Sequence, residues 1–588
     1  MVALCGPAPL KFPQQAWLLL LVIATLAGSP RLVAAAAPVS PGAFDAQLAA
    51  GEFSAALAAA QQVPAGARRD AYLARLAEAQ ARAGAADAAF HTLAHVSEDR
   101  SRSEAITATR RALPASAGGG AQADFDSLID LITTTVRPQS WDEVGGPGSV
   151  SPFQNGVYVD AHGVLRRVVA PQQAKGLAVA RLTAIRAQER GNPGGADPRL
   201  YSPLRKISLT RLEKHVQLTL AAGRMPDEEM QNLAGLEKIE YVLVYPDSGD
   251  LVLAGPAGSW HTDEEGRQVS RHTGRPVVQL DDLVVLLRYL HGTPGAAFAC
   301  SINPTQEGLA RTRKFAKESS ATPLRRGERS GFLKQLERCM GRQNITVEGI
   351  DPRTRVARVM VEADYRMKLV GMGLEDGTVD VPSYLDLVRV KPGEAPPPLD
   401  VLRWWFTLKY SAVVATPQGH AFEIRGPGVQ VLSENELLTK LGRRVHTGKS
   451  QPTNQEFANR FTRHFADLAE KYPVYADLQN IFDLALVCAL IQSEGLAEQV
   501  GWHLTCFGDP DQYQVDLGPA PQSVDTVINH RLIGGKHLIV GVSGGVRVEP
   551  WELVQPTAMT REGNGELTTM HDSSGADREL PIGAWWWD

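Results

Sequence analysis

The sequence predicts an α+β protein, with N-terminal α-helical hairpin repeats followed by a mixed body of β-hairpins and helices. Three observations carry that prediction. An Ala-rich region over 41–113 repeats itself at an offset of 33 residues. Short alternating apolar runs separated by Gly- and Pro-rich turns begin at Gly156. Helical apolar spacing recurs among those runs, at Leu283, Leu286, Leu287 and Leu290 and again at Phe457, Phe461, Phe465 and Leu468.

Residues 1–37 read as a signal peptide. Lys11 precedes the thirteen-residue apolar run Ala16–Gly28, which is shorter than the roughly 20 residues of a membrane helix, and the small-residue stretch Val33–Ala37 offers a cleavage site. Cys5 lies ahead of the run and no Cys follows it directly, so a lipoprotein anchor is not expected. The mature chain is expected to be secreted or periplasmic.

Residues 38–116 are expected to form the helical-repeat module. Gly51-Glu-Phe-Ser-Ala-Ala-Leu57 returns as Gly84-Ala-Ala-Asp-Ala-Ala-Phe90, and Val63 returns as Val96. The small residues suit closely packed helix pairs, and Gly51 and Gly84 suit the turn within each pair. The region weakly resembles tetratricopeptide repeats. That implies a protein partner in the cell envelope, bound through residues 41–113.

A short helix and a Gly/Pro linker are expected over 117–155, a first α+β subdomain over 156–395 and a second over 396–555. The triple Pro396-Pro-Pro398 stiffens the connector between the two. Hairpins are read around Asp160–Gly163, Pro246–Gly249, Pro417–Gly419 and Asp351–Thr354, the last joining Ile345–Ile350 to Val356–Val361. The second and third share a Gly-Pro nine residues after the turn Pro, at Gly255-Pro256 and Gly426-Pro427, which suggests two copies of one unit. A final hairpin is read from Leu538–Val542 to Val546–Val548. The tail over 556–588 is expected to be loosely ordered, ending in Trp585-Trp-Trp-Asp588, which could dock on the body.

Composition narrows the function. The 588 residues carry a formal charge of −5, and loss of Lys11 and Arg31 with the leader leaves −7. No basic run is interleaved with aromatics, so nucleic acid is not an expected partner. No apolar run after Gly28 approaches membrane-spanning length, so no transmembrane segment is expected in the mature chain. Cys300, Cys339, Cys488 and Cys506 could form two disulfides, although Cys488, inside the apolar run Ile481–Ile491, reads better as a small buried hydrophobe. No spacing calls for a metal or a cofactor.

Three groups invite a chemical reading. Gly541-Val-Ser-Gly-Gly545 matches the nucleophile-elbow pattern, making Ser543 a candidate nucleophile with His503 or His537 as base, although no helix follows it. His261, with Asp263, Glu264, Glu265 and His272, is the densest ionisable group and the other candidate catalytic centre. Asp364, Arg366 and Lys368 alternate in sign, as a buried charge cluster or an exposed helix turn, with Arg358 and Glu362 placed for local pairing.

Asn155–Leu165, Arg205–Glu213, Cys300–Thr305 and Glu362–Lys368, within the stretch from Ser149 to Trp551, resemble a family of secreted planctomycete proteins that is catalogued as a domain of unknown function. The resemblance implies export and a bacterial envelope setting, and no site residue. The expected function is that of an exported, non-enzymatic protein-binding or scaffold protein. The alternative is an extracytoplasmic hydrolase acting on envelope polymer or peptide.

Overall fold

Gly51 and Gly84 each adopt a left-handed conformation, with φ of +73° and +79°. In the first turn Gly51 N–H donates to Leu48 O and Glu52 N–H to Gln47 O; in the second, Gly84 N–H donates to Ala81 O and Ala85 N–H to Gln80 O. This bond pair closes a helix on a residue that needs positive φ, which glycine adopts without a Cβ clash. The turns join α1 (Pro41–Ala50) to α2 (Phe53–Gln61) and α3 (Ala67–Arg82) to α4 (Ala86–Leu93), and α5 (Asp99–Ala112) follows. Phe44, Leu73, Leu76, Phe90, Leu93 and Ile106 form their core, with alanines filling the narrow spaces between helices. The body supplies the next layer: Leu218 and Ala221 of α6 (Leu209–Ala221) pack into the same core. Buried Arg102 donates to Gln217 (3.0 Å), and Lys214 Nζ donates to Val96 O (3.2 Å).

In this computed structural model the described residues are 41–113, 149–153, 156–160, 166–168, 197–319, 328–389, 399–438, 444–533, 536–576, 580 and 583–588. The leader, the helix expected near Phe125 and the Pro396–Pro398 connector lie outside them. Strands β1 (Ser149–Phe153), β2 (Gly156–Asp160) and β3 (Arg166–Val168) form a small antiparallel sheet. The body continues through β4 (Ser202–Ser208), β5 (Tyr241–Tyr245), β6 (Asp250–Ala257), β7 (Trp260–Thr262), β8 (Gln268–Ser270) and α7 (Leu280–His291). Next come β9 (Phe298–Pro304), the helices α8 (Gln306–Ser319) and α9 (Arg329–Met340), β10 (Gln343–Glu348) and α10 (Arg355–Gly371). Beyond residue 399 lie β11 (Leu399–Lys409), β12 (Ala412–Ala415), β13 (Ala421–Arg425), β14 (Gly428–Leu438) and β15 (Arg444–His446). Three helices follow, α11 (Pro452–Arg463), α12 (Phe465–Lys471) and α13 (Pro473–Ser493). The chain finishes with β16 (Ser523–Val524), β17 (Ile528–Ile533), β18 (Lys536–Val548), β19 (Thr560–Arg561), α14 (Glu566–Ser574) and β20 (Trp586–Trp587).

Two sheets organise these elements. One has the order β19-β12-β13-β5-β6-β4-β20; the other has β15-β14-β11-β18-β9-β10-β16, with β17 also on β18. Each sheet draws strands from both sides of residue 395, and one apolar core holds Leu212 together with Trp404 and Phe482. The strands of the two expected subdomains are therefore interleaved. The hairpins around Pro246 and Pro417 form with Tyr245 opposite Asp250 and Ala415 opposite Phe422. They are neighbours, since β13 pairs with β5.

Three expectations are corrected. Val356–Val361 belongs to α10, not to a hairpin strand: Thr354 Oγ1 caps it by accepting from Ala357 N–H (3.4 Å), and burial on nearly every side removes the polar face that marks a surface helix. Leu538–Val548 is a continuous stretch of β18, with no turn at Gly544-Gly545. The tail is tied down as well. Trp586 and Trp587 pair with Ile207 and Lys206, and Asp588 forms an ion pair with buried Arg205 (2.8 Å).

α13 lies at the centre. It is the one helix among the described residues long and apolar enough to cross a membrane, and its apolar window is wholly buried in the body. Its polar side chains have protein partners: Asn480 donates to Pro276 O (2.9 Å) and Asp483 accepts from Tyr410 Oη (2.6 Å). The four cysteines are unbridged, and burial pushes the thiols of Cys300, Cys488 and Cys506 up. Among the described cysteines only Cys339 is partly exposed. Iodoacetamide should therefore alkylate Cys339 first under native conditions and the other three only after denaturation, as peptide mass mapping would report.

Candidate functional site

Ser543 is fully buried in β18, a central strand, opposite Arg403 of β11. Its Oγ lies 3.0 Å from Glu436 Oε2 and 3.3 Å from Leu402 O, while Glu436 Oε1 lies 3.4 Å from His446 Nδ1. A hydrolase needs the imidazole beside the hydroxyl and the carboxylate behind it. Here the carboxylate stands between them, and among the described residues the hydroxyl is sealed from solvent. The flanking glycines have another cause. Gly544 has φ +147°, and a Cβ there would stand 1.5 Å from Trp404 O; one on Gly545 would stand 1.9 Å from Cys300 O. The motif permits close strand contact. Of the candidate bases, His503 is exposed and the side chain of His537 lies outside the described residues.

The group around His261 is a β-turn. His261 sits on β7 opposite Val269 of β8, and Asp263 Oδ1 accepts N–H bonds from Glu265 (2.9 Å) and Arg267 (2.7 Å), which fixes the turn. His272 is exposed beside the Tyr201 ring, 5.5 Å between centroids. Among the described residues, neither catalytic candidate is brought into a catalytic arrangement. Glu265 alone points to something larger. It pairs with Arg267 and lines a cavity of about 440 Å³.

That cavity sits where the helical module meets the body. Arg110 at the end of α5, Met225 and Pro226 after α6, the β7–β8 turn, the starts of α7, α10 and α13, and the loop 511–516 surround it. Its wall holds an alternating chain of charges. Arg355 pairs with Asp282 and, in two bonds of 2.6 and 2.7 Å, with Asp477. Arg267 pairs with Glu265 and Glu362 and lies 3.6 Å from Asp477. Such charges persist in an interior only when each has a partner. Two oxygens lack one: Glu362 Oε1 and Asp282 Oδ1 are buried without a hydrogen-bond partner. Local pairing of Arg358 with Glu362 gives way to the contact with Arg267, 95 residues distant. Asp364 and Lys368 form a fully buried pair (2.7 Å) that also anchors Ile302 O (3.0 Å).

Burial pushes the Asp282 carboxyl up to about 6 despite the neighbouring Arg355. It pushes Asp364 to about 6, and Glu213 and Asp483 to about 7. In the unfolded chain these groups titrate near 4. Between about pH 4.5 and 7 the folded state holds the extra protons on these carboxyls, so their contribution to stability falls as pH rises through that window. His215, lowered by burial, opposes it there, and Lys214, lowered by burial to about 8, acts in the opposite sense above it. Asp351, held low by its bonds from Arg353, acts below that window. The melting temperature should be higher at pH 5 than at pH 8 by scanning fluorimetry; the reverse order would show these carboxyls ionised well below pH 5.

Among the described residues one surface group, Asp380, His464 and Asp467, has metal-ligand spacing, but both carboxylates are exposed and His464 Nδ1 already meets Asp467 (3.1 Å). The cavity is the more constructed site. Its residues were hidden from sequence reading because their partners are far apart in the chain. The available signal was the acidic pair Asp477 and Asp483 inside an otherwise apolar helix.

Fold and site together define an α+β protein with a charge-lined cavity that opens to solvent past Met225 and Gln512. Residues 300–384 match the family model described as "Protein of unknown function (DUF1598)". The match spans β9 from Cys300 to Tyr384 beyond α10, so it includes Cys300–Thr305 and Glu362–Lys368 and provides Arg355, Arg358 and Glu362 to the cavity. No curated protein and no solved structure matches the chain.

Proposed function

We propose that the protein is an exported protein of the bacterial envelope that works by binding, with the cavity between helical module and body as its ligand site. The observation that carries this reading is Glu362, nine-tenths buried on the cavity wall with Oε1 lacking a protein donor. A buried acceptor of this kind gains most from a ligand that supplies the missing hydrogen bond. The leader pattern over 1–37 and the resemblance to secreted planctomycete proteins support export. The 33-residue return supports a tetratricopeptide-like module, and its outer hairpin, α1–α2, stays exposed for a protein partner while α5 rests on α6.

Two measurements test this. N-terminal sequencing of the protein from an envelope fraction should begin near Val33–Pro38; Met1 at the mature end would reject export. Native mass spectrometry of that protein should show a bound mass that Val515→Lys, which places an ammonium in the cavity, no longer carries. Absence of any bound mass, or fluorophosphonate labelling of Ser543, would overturn the binding reading in favour of the hydrolase.

A further inference from the structure

The cavity wall is unbalanced in charge. Among the described residues it carries six carboxylates, of Glu265, Asp281, Glu362, Asp477, Asp511 and Asp516, against four guanidinium groups, a net formal charge of −2. Asp282 stands directly behind Arg355 and adds a further acidic group. The guanidiniums of Arg267 and Arg355 each face two or more carboxylates, which offset most of their field toward an anion, although Arg267 Nε, 3.6 Å from Asp477, has no hydrogen-bond acceptor among the described residues. Glu362 Oε1 asks for a donor. The wall also carries the apolar side chains of Leu220, Met225, Pro226, Val359 and Val515.

We infer that this cavity binds a primary ammonium carried on a short aliphatic chain, its N–H donating to Glu362 Oε1 and its methylenes lying on the Leu220–Val515 side. The assignment rests on the binding reading above and adds the ligand's chemistry. An ammonium has three donors and no acceptor, so it meets an acceptor-only oxygen without leaving a polar atom of its own opposed. A methylene stem covers apolar wall while its head stays among charges. A bare divalent ion fits less well, because the four guanidinium groups on the same wall repel compact double charge. The volume of about 440 Å³ suits a ligand of small-metabolite size.

The test compares two five-carbon chains of opposite charge, 1,5-diaminopentane and glutarate, by isothermal titration calorimetry on the full-length mature protein. Saturable one-site binding of the diamine, with none of glutarate, is expected. Glu362→Gln should weaken the diamine at least tenfold while circular dichroism stays native. Should that variant fail to fold, Val515→Lys keeps the test alive, since its own ammonium should abolish diamine binding. Glutarate binding in place of the diamine overturns the ligand class and leaves the binding reading intact. Heat from neither, with a bound mass still present in the native spectrum, has the same meaning. Heat from neither and no bound mass rejects both.

Discussion

Gly544→Ala should prevent the body from folding. The new methyl would meet Trp404 O at 1.5 Å, and φ of +147° is a conformation that L side chains rarely adopt. Trp404 cannot yield, because it lies on β11, its backbone is paired on both sides, and its ring packs on Phe457 at 4.3 Å. The displacement would open the parallel β11–β18 ladder at the middle of the eight-stranded sheet. A loss above about 4 kcal/mol is expected, with insoluble expression as the visible result. Ser543→Ala at the adjacent residue removes a methyl-sized hydroxyl without a clash and should cost about 1 kcal/mol. Urea unfolding of the two variants separates a structural glycine motif from a catalytic one. Native-like melting of Gly544→Ala would show that the strands do not approach this closely.

The second large effect is expected from Arg355→Met. The guanidinium is 19% exposed and joins Asp282 to Asp477, both of which are buried. Methionine approximates the stem but leaves Asp282 without its cation and Asp477 with Arg267 alone at 3.6 Å, and breaking a buried pair in this way costs about 3–5 kcal/mol. The pH dependence identifies the cause. Burial holds the Asp282 carboxyl up at about 6 with Arg355 present, so without it this carboxyl takes up its proton at still higher pH. The loss should be largest at pH 8 and shrink at pH 5, where protonated Asp282 no longer needs a cation. Arg353→Met two residues earlier removes a solvent-screened ion pair with Asp351, 55% exposed on the arginine side, and should leave stability essentially unchanged at either pH. Equal losses from the two substitutions would mean that the interior chain of charges does not hold the cavity wall.

Local pattern made some elements legible and misled at others. The turns at Gly51 and Gly84 could be read because each needs positive φ within a short segment, and the hairpins at Pro246 and Pro417 because their turn residues punctuate two alternating runs. α10 was misread as a strand because its first residues, Val356–Val361, are rich in β-branched side chains and its burial erases amphipathic period. β18 was broken in two by glycines whose cause lies on β9 and β11, neighbours that no local window contains. Ser543 and His261 drew notice through motif and density, yet one proton donor is sealed inside a sheet and the other ring borders a turn built by Asp263. Of the whole acidic group around His261, Glu265 alone reaches the cavity.

The sequence by itself determined the α+β class, the turns at Gly51 and Gly84 and the helices with clear apolar stripes, since each depends on contacts within a few residues. Tertiary structure alone decided which strands share a sheet, which glycines are obligatory and which charges meet. Those depend on residues up to hundreds of positions apart that come within a few ångströms only when the core closes, and the chain of Asp282, Arg355, Asp477, Arg267 and Glu362 exists for that reason.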